Sequence, residues 1–203
     1  MPMQLYGSNL SPYTRRVALA LTLAGQDFEL ITKTTVPDEA ELRQHNPLGR
    51  LPFLRVSDQQ TLIDSLTILR WLDQRTDQFR PQDREADLRC EGLMALASGV
   101  CDKAVASLYE RTRRPTEFCY PNWVARCAWQ ITDTLAALDT AFASAKPYVF
   151  GTQLTYVELF TFAAIQFVRK TCIDLVPPGK FAHLERLEAQ LEALDPVFVN
   201  TRS

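Results

Sequence analysis

Leu51-Pro52-Phe53-Leu54, followed at a fixed distance by Leu62-Ile63-Asp64-Ser65, is the stretch whose reading decides the fold. Proline donates nothing to a sheet ladder, so Pro52 belongs at an edge, a bulge or a bend. An X-Pro bond is also the one common cis peptide, usually in a tight turn. Ahead of it, Gln44-His45-Asn46-Pro47-Leu48-Gly49-Arg50 is turn chemistry, in which Asn-Pro initiates and Gly relaxes the backbone. Phe53-Leu54-Arg55-Val56 reads as a short strand, Ser57-Asp58-Gln59-Gln60 as a hairpin turn and Thr61-Leu62-Ile63 as the return strand. Asp64-Ser65 then opens a helical pattern carried by Leu66, Leu69 and Leu72. A helix start offers unpaired N–H groups and partial positive charge, which suit a carboxylate. Taken alone, Asp64 and Ser65 are also ordinary capping residues.

Working outward, the first 75 residues alternate strand and helix. Met3 to Gly7 predicts a strand, and Pro12 to Ala24 a helix with Val17, Leu21 and Ala24 on one face, closed by Gly25 at its C-terminal side. Phe28 to Ile31 predicts a second strand, parallel to the first if that helix is a crossover. Asp38 to His45 predicts a short helix ahead of the hairpin. The order βαβ-α-ββα is the thioredoxin-like layout, an α/β unit on a small mixed sheet. This gives an expected first domain over residues 1–76 and a linker over 77–83, where a polar run meets Pro81. An all-helical domain is expected over 84–203, because no strand pattern follows Arg84.

Four helical patterns fill that second domain: Glu85 to Arg111, Asn122 to Ala143, Thr155 to Cys172 and Phe181 to Leu194. Short connections between long helices favour an antiparallel bundle. In the first, Leu88, Met94, Leu96, Val100, Val105 and Leu108 are expected on buried faces. In the second, Trp123, Cys127, Ile131, Leu135, Leu138 and Phe142 repeat at helical spacing. Thr155 at the N-cap and Glu158 three residues on make a capping box, with Leu154 and Leu159 as its hydrophobic staple. That reading is structural, and neither Thr155 nor Glu158 is expected to take part in chemistry.

Composition removes several function classes. With 46% hydrophobic residues, a formal net charge of −2 and no basic stripe, the chain is not expected to bind nucleic acid. Arg111, Arg113 and Arg114 form one short cluster that reads as solvated surface. No segment approaches the ~20 apolar residues that span a bilayer, and the N-terminus has no secretory pattern. Five cysteines without a C-x-x-C pair suggest a reducing, cytoplasmic setting. Cys90, Cys101, Cys119, Cys127 and Cys172 fall in helical patterns, where burial is the default. With only His45 and His183, no metal site or Ser-His-Asp triad is expected.

The loop Tyr6-Gly7-Ser8-Asn9-Leu10-Ser11-Pro12-Tyr13 joins the first strand to the first helix. Proline is favoured at the first helical position, so Ser11 falls at the N-cap. An N-cap serine ordinarily accepts from a first-turn amide. The same geometry lets its hydroxyl donate to a bound thiolate beside free N–H groups.

Asn46-Pro47-Leu48-Gly49-Arg50-Leu51-Pro52 with Asp64-Ser65 resembles the glutathione site of the cytosolic glutathione S-transferase family. Ser-Pro-Tyr-x-Arg-Arg-Val resembles the bacterial serine-type version. The capping box at Thr155 resembles the family's folding motif, with Glu158 where the family usually has Asp. The resemblance implies glutathione as co-substrate, no metal, a homodimer and addition of the glutathione thiolate to a small hydrophobic electrophile. It implies Ser11 as the residue that stabilises the sulfur, with Ser8 the alternative and Tyr6 a third candidate. Leu51 would pair with the cysteinyl backbone, Asp64 and Ser65 would hold the γ-glutamyl end, and Arg50 would meet the glycine end. Lys33 is a second candidate for that carboxylate. An electrophile pocket near Tyr109 and Arg113, and a cross-subunit role for Asp102, are further implications. The absence of cysteine from the first loop separates the chain from the thiol-transferase branch. The same resemblance admits glutathione-dependent isomerases and dehalogenases, and non-catalytic interaction proteins of the stringent-starvation type.

Overall fold

A computed structural model describes residues 2–201. The outermost residues of the two expected domains, Met1 and Ser203, lie outside this range. The described chain divides into two compact units, residues 2–79 with 195–201, and residues 80–194.

In the first unit, β1 (Met3–Gly7), α1 (Pro12–Leu23), β2 (Phe28–Thr32), α2 (Glu39–His45), β3 (Phe53–Arg55), β4 (Thr61–Ile63) and α3 (Ser65–Asp73) follow one another. They are the predicted thioredoxin-like elements in the predicted order. The sheet runs β2-β1-β3-β4, with β1 and β2 parallel and the other pairs antiparallel. Alternation along the strands sends Tyr6 and Phe53 to one face, where they pack with Leu42 of α2. Leu5 and Leu54 face the other way and are fully buried. Helices α1 and α3 pack on each other and on the sheet. Gly25 closes α1 at φ +66, a left-handed conformation that suits a residue without Cβ.

The last helix, α8 (Pro196–Asn200), lies beyond the predicted bundle helices and packs on α1. Arg15 of α1 is buried and donates to the Phe198 carbonyl (3.0 Å) and to Thr201 Oγ1 (3.3 Å), while Phe198 is fully buried. A buried guanidinium needs acceptors, and these contacts hold residues 195–201 in the first unit.

The second unit contains α4 (Arg84–Thr112), α5 (Pro121–Phe142), α6 (Tyr156–Thr171) and α7 (Ala182–Leu194). No strand interrupts these four, as the sequence predicted. Helix α6 is buried from Tyr156 to Ile165 without a break, and α4 packs against both α5 and α6. The predicted capping box forms at the start of α6: Thr155 Oγ1 accepts from the Glu158 amide and Thr155 N–H donates to Glu158 Oε2 at 2.9 Å, while Thr155 Oγ1 also donates to Oε2 at 2.7 Å. Glu158 Oε1 accepts from the Val149 amide.

Two expectations fail here. Leu88 and Leu96 of α4 are exposed, not buried, because the apolar seam of α4 runs instead through Cys90, Leu93, Met94, Ala97, Val100, Cys101 and Ala104. Among the cysteines, Cys90, Cys101 and Cys127 are buried, but Cys119 and Cys172 are half-buried at the ends of short helical turns. All five are free thiols.

Candidate functional site

The strand register gathers the candidate residues. Phe53 pairs with Tyr6 on one side and with Ile63 on the other. The end of β1, the start of β3 and the end of β4 therefore share one end of the sheet. Three segments leave from that end: the loop Gly7–Ser11, the approach Arg50–Pro52, and Asp64–Ser65. Parallel pairing of Gly7 with Thr32 brings the end of β2 there as well, and Lys33 N–H donates to the Gly7 carbonyl at 3.1 Å.

Ser11 is the N-cap of α1. Its Oγ accepts from the Thr14 amide at 3.3 Å, its N–H donates to the Ser8 carbonyl and its carbonyl accepts from Arg15. Accepting one hydrogen bond leaves the hydroxyl proton as a donor. Ser8 is half-buried three residues earlier and its Oγ accepts from the Leu10 amide at 3.2 Å. Gly7 admits the loop's close approach to the helix, since a Cβ there would stand 2.3 Å from Thr14 Oγ1. Tyr6 is a core residue: it is buried and stacked on Phe53, with ring centroids 4.4 Å apart.

The loop before β3 is closed by the buried side chain of Asn46, which the sequence marks as a turn initiator and as the first residue of the glutathione-site motif. Asn46 Nδ2 donates to the Arg50 carbonyl at 2.9 Å, and Asn46 Oδ1 accepts from the Leu48 amide at 3.1 Å. Gly49 completes the turn at φ +59. The Leu51-Pro52 peptide is cis, Pro52 is buried, and Leu51 sits outside the ladder, which begins at Phe53. Arg50 is exposed. Lys33, by contrast, is engaged: it donates to Glu41 at 2.6 Å and lies 3.5 Å from Asp38, and the Glu41 hydrogen bond raises its pKa. Its charge is already matched by two carboxylates.

At the third segment, Asp64 adopts φ 71 and ψ 140, the only positive φ outside glycine among the described residues. Non-glycine residues persist there only when their surroundings impose it, and such residues cluster at functional sites. Asp64 Oδ1 caps α3 through the Leu66 amide at 2.8 Å while the residue stays exposed. Ser65 is buried, and its Oγ accepts from Arg16 of α1 twice, from Nη2 at 2.6 Å and Nε at 3.2 Å. Arg16 was not among the expected site residues. It lies in the Ser-Pro-Tyr-x-Arg-Arg-Val motif, as a charge ahead of the core residues Val17, Ala18, Leu19 and Ala20.

Of the candidates on the helical unit, Tyr109 is exposed beneath the Arg113 guanidinium, 3.7 Å from the ring centroid, and Asp102 is exposed. Among the described residues no group of three His, Cys, Asp or Glu is placed to hold a metal ion, and no helix is long and apolar enough to cross a membrane.

Residues 5–80 match the glutathione S-transferase N-terminal domain family. The GST-like protein YibF of Escherichia coli K12 is 30% identical over 113 residues, covering 55% of this chain and 56% of YibF. The chain thus spans about half the length of that curated relative. Solved structures match throughout. A glutathione S-transferase from Methylobacterium radiotolerans, in complex with glutathione sulfonate, is 26% identical with a TM-score of 0.92, covering all of this chain and 95% of the other. A glutathione transferase family member from Pseudomonas fluorescens Pf-5, with bound glutathione, is 29% identical with a TM-score of 0.84, covering 98% of both.

Proposed function

This chain belongs to the glutathione S-transferase superfamily, and from that premise we propose that it binds glutathione and conjugates the thiol to small hydrophobic electrophiles. The observation that carries this reading is the register: Tyr6, Phe53 and Ile63 stand side by side on adjacent strands, so three ligand-seeking segments open at one sheet end. Two interstrand spacings make about 10 Å, and an extended tripeptide spans about the same. In the proposed pose Leu51 pairs with the cysteinyl backbone. Asp64 meets the γ-glutamyl ammonium, and Ser65 at the start of α3 meets its carboxylate. Arg50 is exposed to reach the glycine carboxylate, whereas Lys33 is committed to Glu41 and Asp38.

Ser11 is the proposed catalytic residue. A free thiol has a pKa of about 8.5, so only a few per cent is thiolate at neutral pH. The Ser11 O–H and the positive end of the α1 dipole favour the anion, and each unit of lowering is worth about 1.4 kcal/mol. The nucleophile belongs to glutathione; the protein supplies position and a stabilised thiolate.

Conjugation assays with aryl halides, hydroperoxides, disulfides and cis-alkene substrates test the reading. Ser11→Ala is expected to lose most conjugation, about tenfold or more for a lost thiolate donor, while glutathione binding stays near its original value. Loss with Ser8→Ala in place of Ser11→Ala moves the role three residues upstream. Isomerisation without conjugation assigns the site to the isomerase branch, and retention of glutathione without turnover assigns it to binding alone.

The homodimer is likewise proposed. Leu88 and Leu96 are apolar side chains exposed on α4, which a second copy would cover. Sedimentation is expected to show a dimer that Leu88→Glu weakens; a monomer at all concentrations contradicts it.

A further inference from the structure

The geometry points to Arg16 as the positioning residue for the γ-glutamyl end of the ligand, acting through Ser65; this rests on the glutathione reading above. Arg16 stands on α1, five residues after Ser11, and its guanidinium crosses to the first residue of α3. Two of its N–H groups converge on a single oxygen, Ser65 Oγ, at 2.6 and 3.2 Å. Both residues are buried, Arg16 at 3% and Ser65 at 1% exposure. The Tyr13 ring lies 5.2 Å from the guanidinium carbon on the same helix.

A hydroxyl has two acceptor sites and one proton to give. With both acceptor sites facing the guanidinium, Ser65 is left as a donor only. It then faces an incoming group that must accept, and it discriminates against one that must donate. The choice matters at this position, because a γ-glutamyl end is a zwitterion whose ammonium and carboxylate sit on one carbon. Asp64, an acceptor beside it, suits the ammonium; Ser65, held as a donor, suits the carboxylate. The guanidinium also places a fixed positive charge behind the α3 N-terminus, adding to the partial charge of the helix start. Hydrogen bonds to charged groups are the strong ones, so the orientation of one proton controls which way round the ligand's end sits.

The same bridge couples two parts of the site. Ser11 starts α1 and Ser65 starts α3, so the Arg16–Ser65 link fixes the two helix starts against each other. Serine hydroxyls rotate freely when unconstrained, and a second, rigid partner removes that freedom before the ligand arrives.

The test compares glutathione with cysteinylglycine, which lacks the γ-glutamyl end, by calorimetry on the full chain carrying Arg16→Gln, Arg16→Lys, Ser65→Ala and the Arg16→Gln/Ser65→Ala pair. Glutathione Kd is expected to rise about tenfold in Arg16→Gln and in Ser65→Ala, with cysteinylglycine Kd within about twofold of the unaltered protein. The pair is expected to bind glutathione no more weakly than Ser65→Ala alone. In assays, KM for glutathione rises more than kcat falls. Arg16→Lys keeps the charge, loses the fork and falls between; it also supplies the cycle with Ser65→Ala if Arg16→Gln does not fold. Equal weakening of both ligands, or effects that multiply in the pair, overturns the role and leaves Arg16 as packing. Failure of the unaltered protein to bind glutathione removes the functional reading and this role with it, whereas binding with an unchanged preference ratio removes only the role of Arg16.

Discussion

At the scale of single residues, Asp64 sets stability against its proposed role in binding. Its φ of 71 costs about 1–3 kcal/mol for a non-glycine residue. Glycine takes that conformation without strain and costs a cap only a few tenths of a kcal/mol. Asp64→Gly is therefore expected to raise stability by about 1 kcal/mol in urea unfolding, while glutathione binding falls. A glycine variant that is less stable than the parent contradicts the assignment of strain to Asp64. The thiols give a second residue-scale prediction. Burial pushes Cys90 up to about 11 and raises Cys127 as well, and the thiolate is the reactive form. Maleimide labelling near neutral pH, mapped by mass spectrometry, is expected at Cys119 and Cys172 before Cys90, Cys101 and Cys127. Early labelling of Cys90 contradicts its burial. The helix-facing prediction for Cys119 and Cys172 failed because the periodicity that suggested it runs past helix ends the sequence does not mark. The local conformations at Ser11, Leu51 and Asp64, by contrast, were legible, since proline, capping residues and turn residues act locally. Arg16 was not: its partner lies 49 residues away, and only the packing of α1 on α3 brings the two together.

At the scale of elements, the capping box of α6 is the clearest case of sequence dictating structure. Thr-x-x-Glu at Thr155 and Glu158 predicted the helix start, and both hydrogen bonds are present. Burial raises the Glu158 carboxyl above its ordinary 4.5, against the donors from Val149 and Thr155. An acid whose folded pKa is raised binds its proton more tightly when folded. Its contribution to stability is full below 4.5 and is lost as pH rises through the raised value. Thermal unfolding across the mildly acidic range is expected to show that slope, and Glu158→Gln to abolish it. The same variant turns an NH2 group toward the Thr155 donors and is expected to cost about 1–3 kcal/mol. A slope that survives in Glu158→Gln assigns it elsewhere. Helix α8 was missed for the opposite reason: five residues carry too little periodicity to declare a helix, and its stability comes from docking on α1. Phe198→Ala is expected to destabilise the first unit by about 3 kcal/mol or more, read by denaturation; an effect near zero contradicts the docking of α8 through that ring.

At the scale of the whole molecule, the βαβ-α-ββα order and the all-helical segment that follows it were readable from turn chemistry and periodicity. The faces of α4 were not, because a helix of 29 residues packed on two others presents more than one apolar stripe, so Leu88 and Leu96 looked like core. The site depends on an arrangement no local motif contains. Four segments far apart in sequence reach one sheet end because the strands pair in one register, and a slip of one residue would turn each side chain to the other face. The proposed binding of a γ-glutamyl tripeptide follows from that arrangement; the proposed step from binding to chemistry rests on Ser11. Spectroscopic titration of the thiol of bound glutathione, in the unaltered chain and in Ser11→Ala, tests this step most directly. A bound-thiol pKa below the free value of about 8.5, returning toward it in Ser11→Ala, is the expected result. A bound thiol that titrates as free glutathione in the unaltered protein contradicts it.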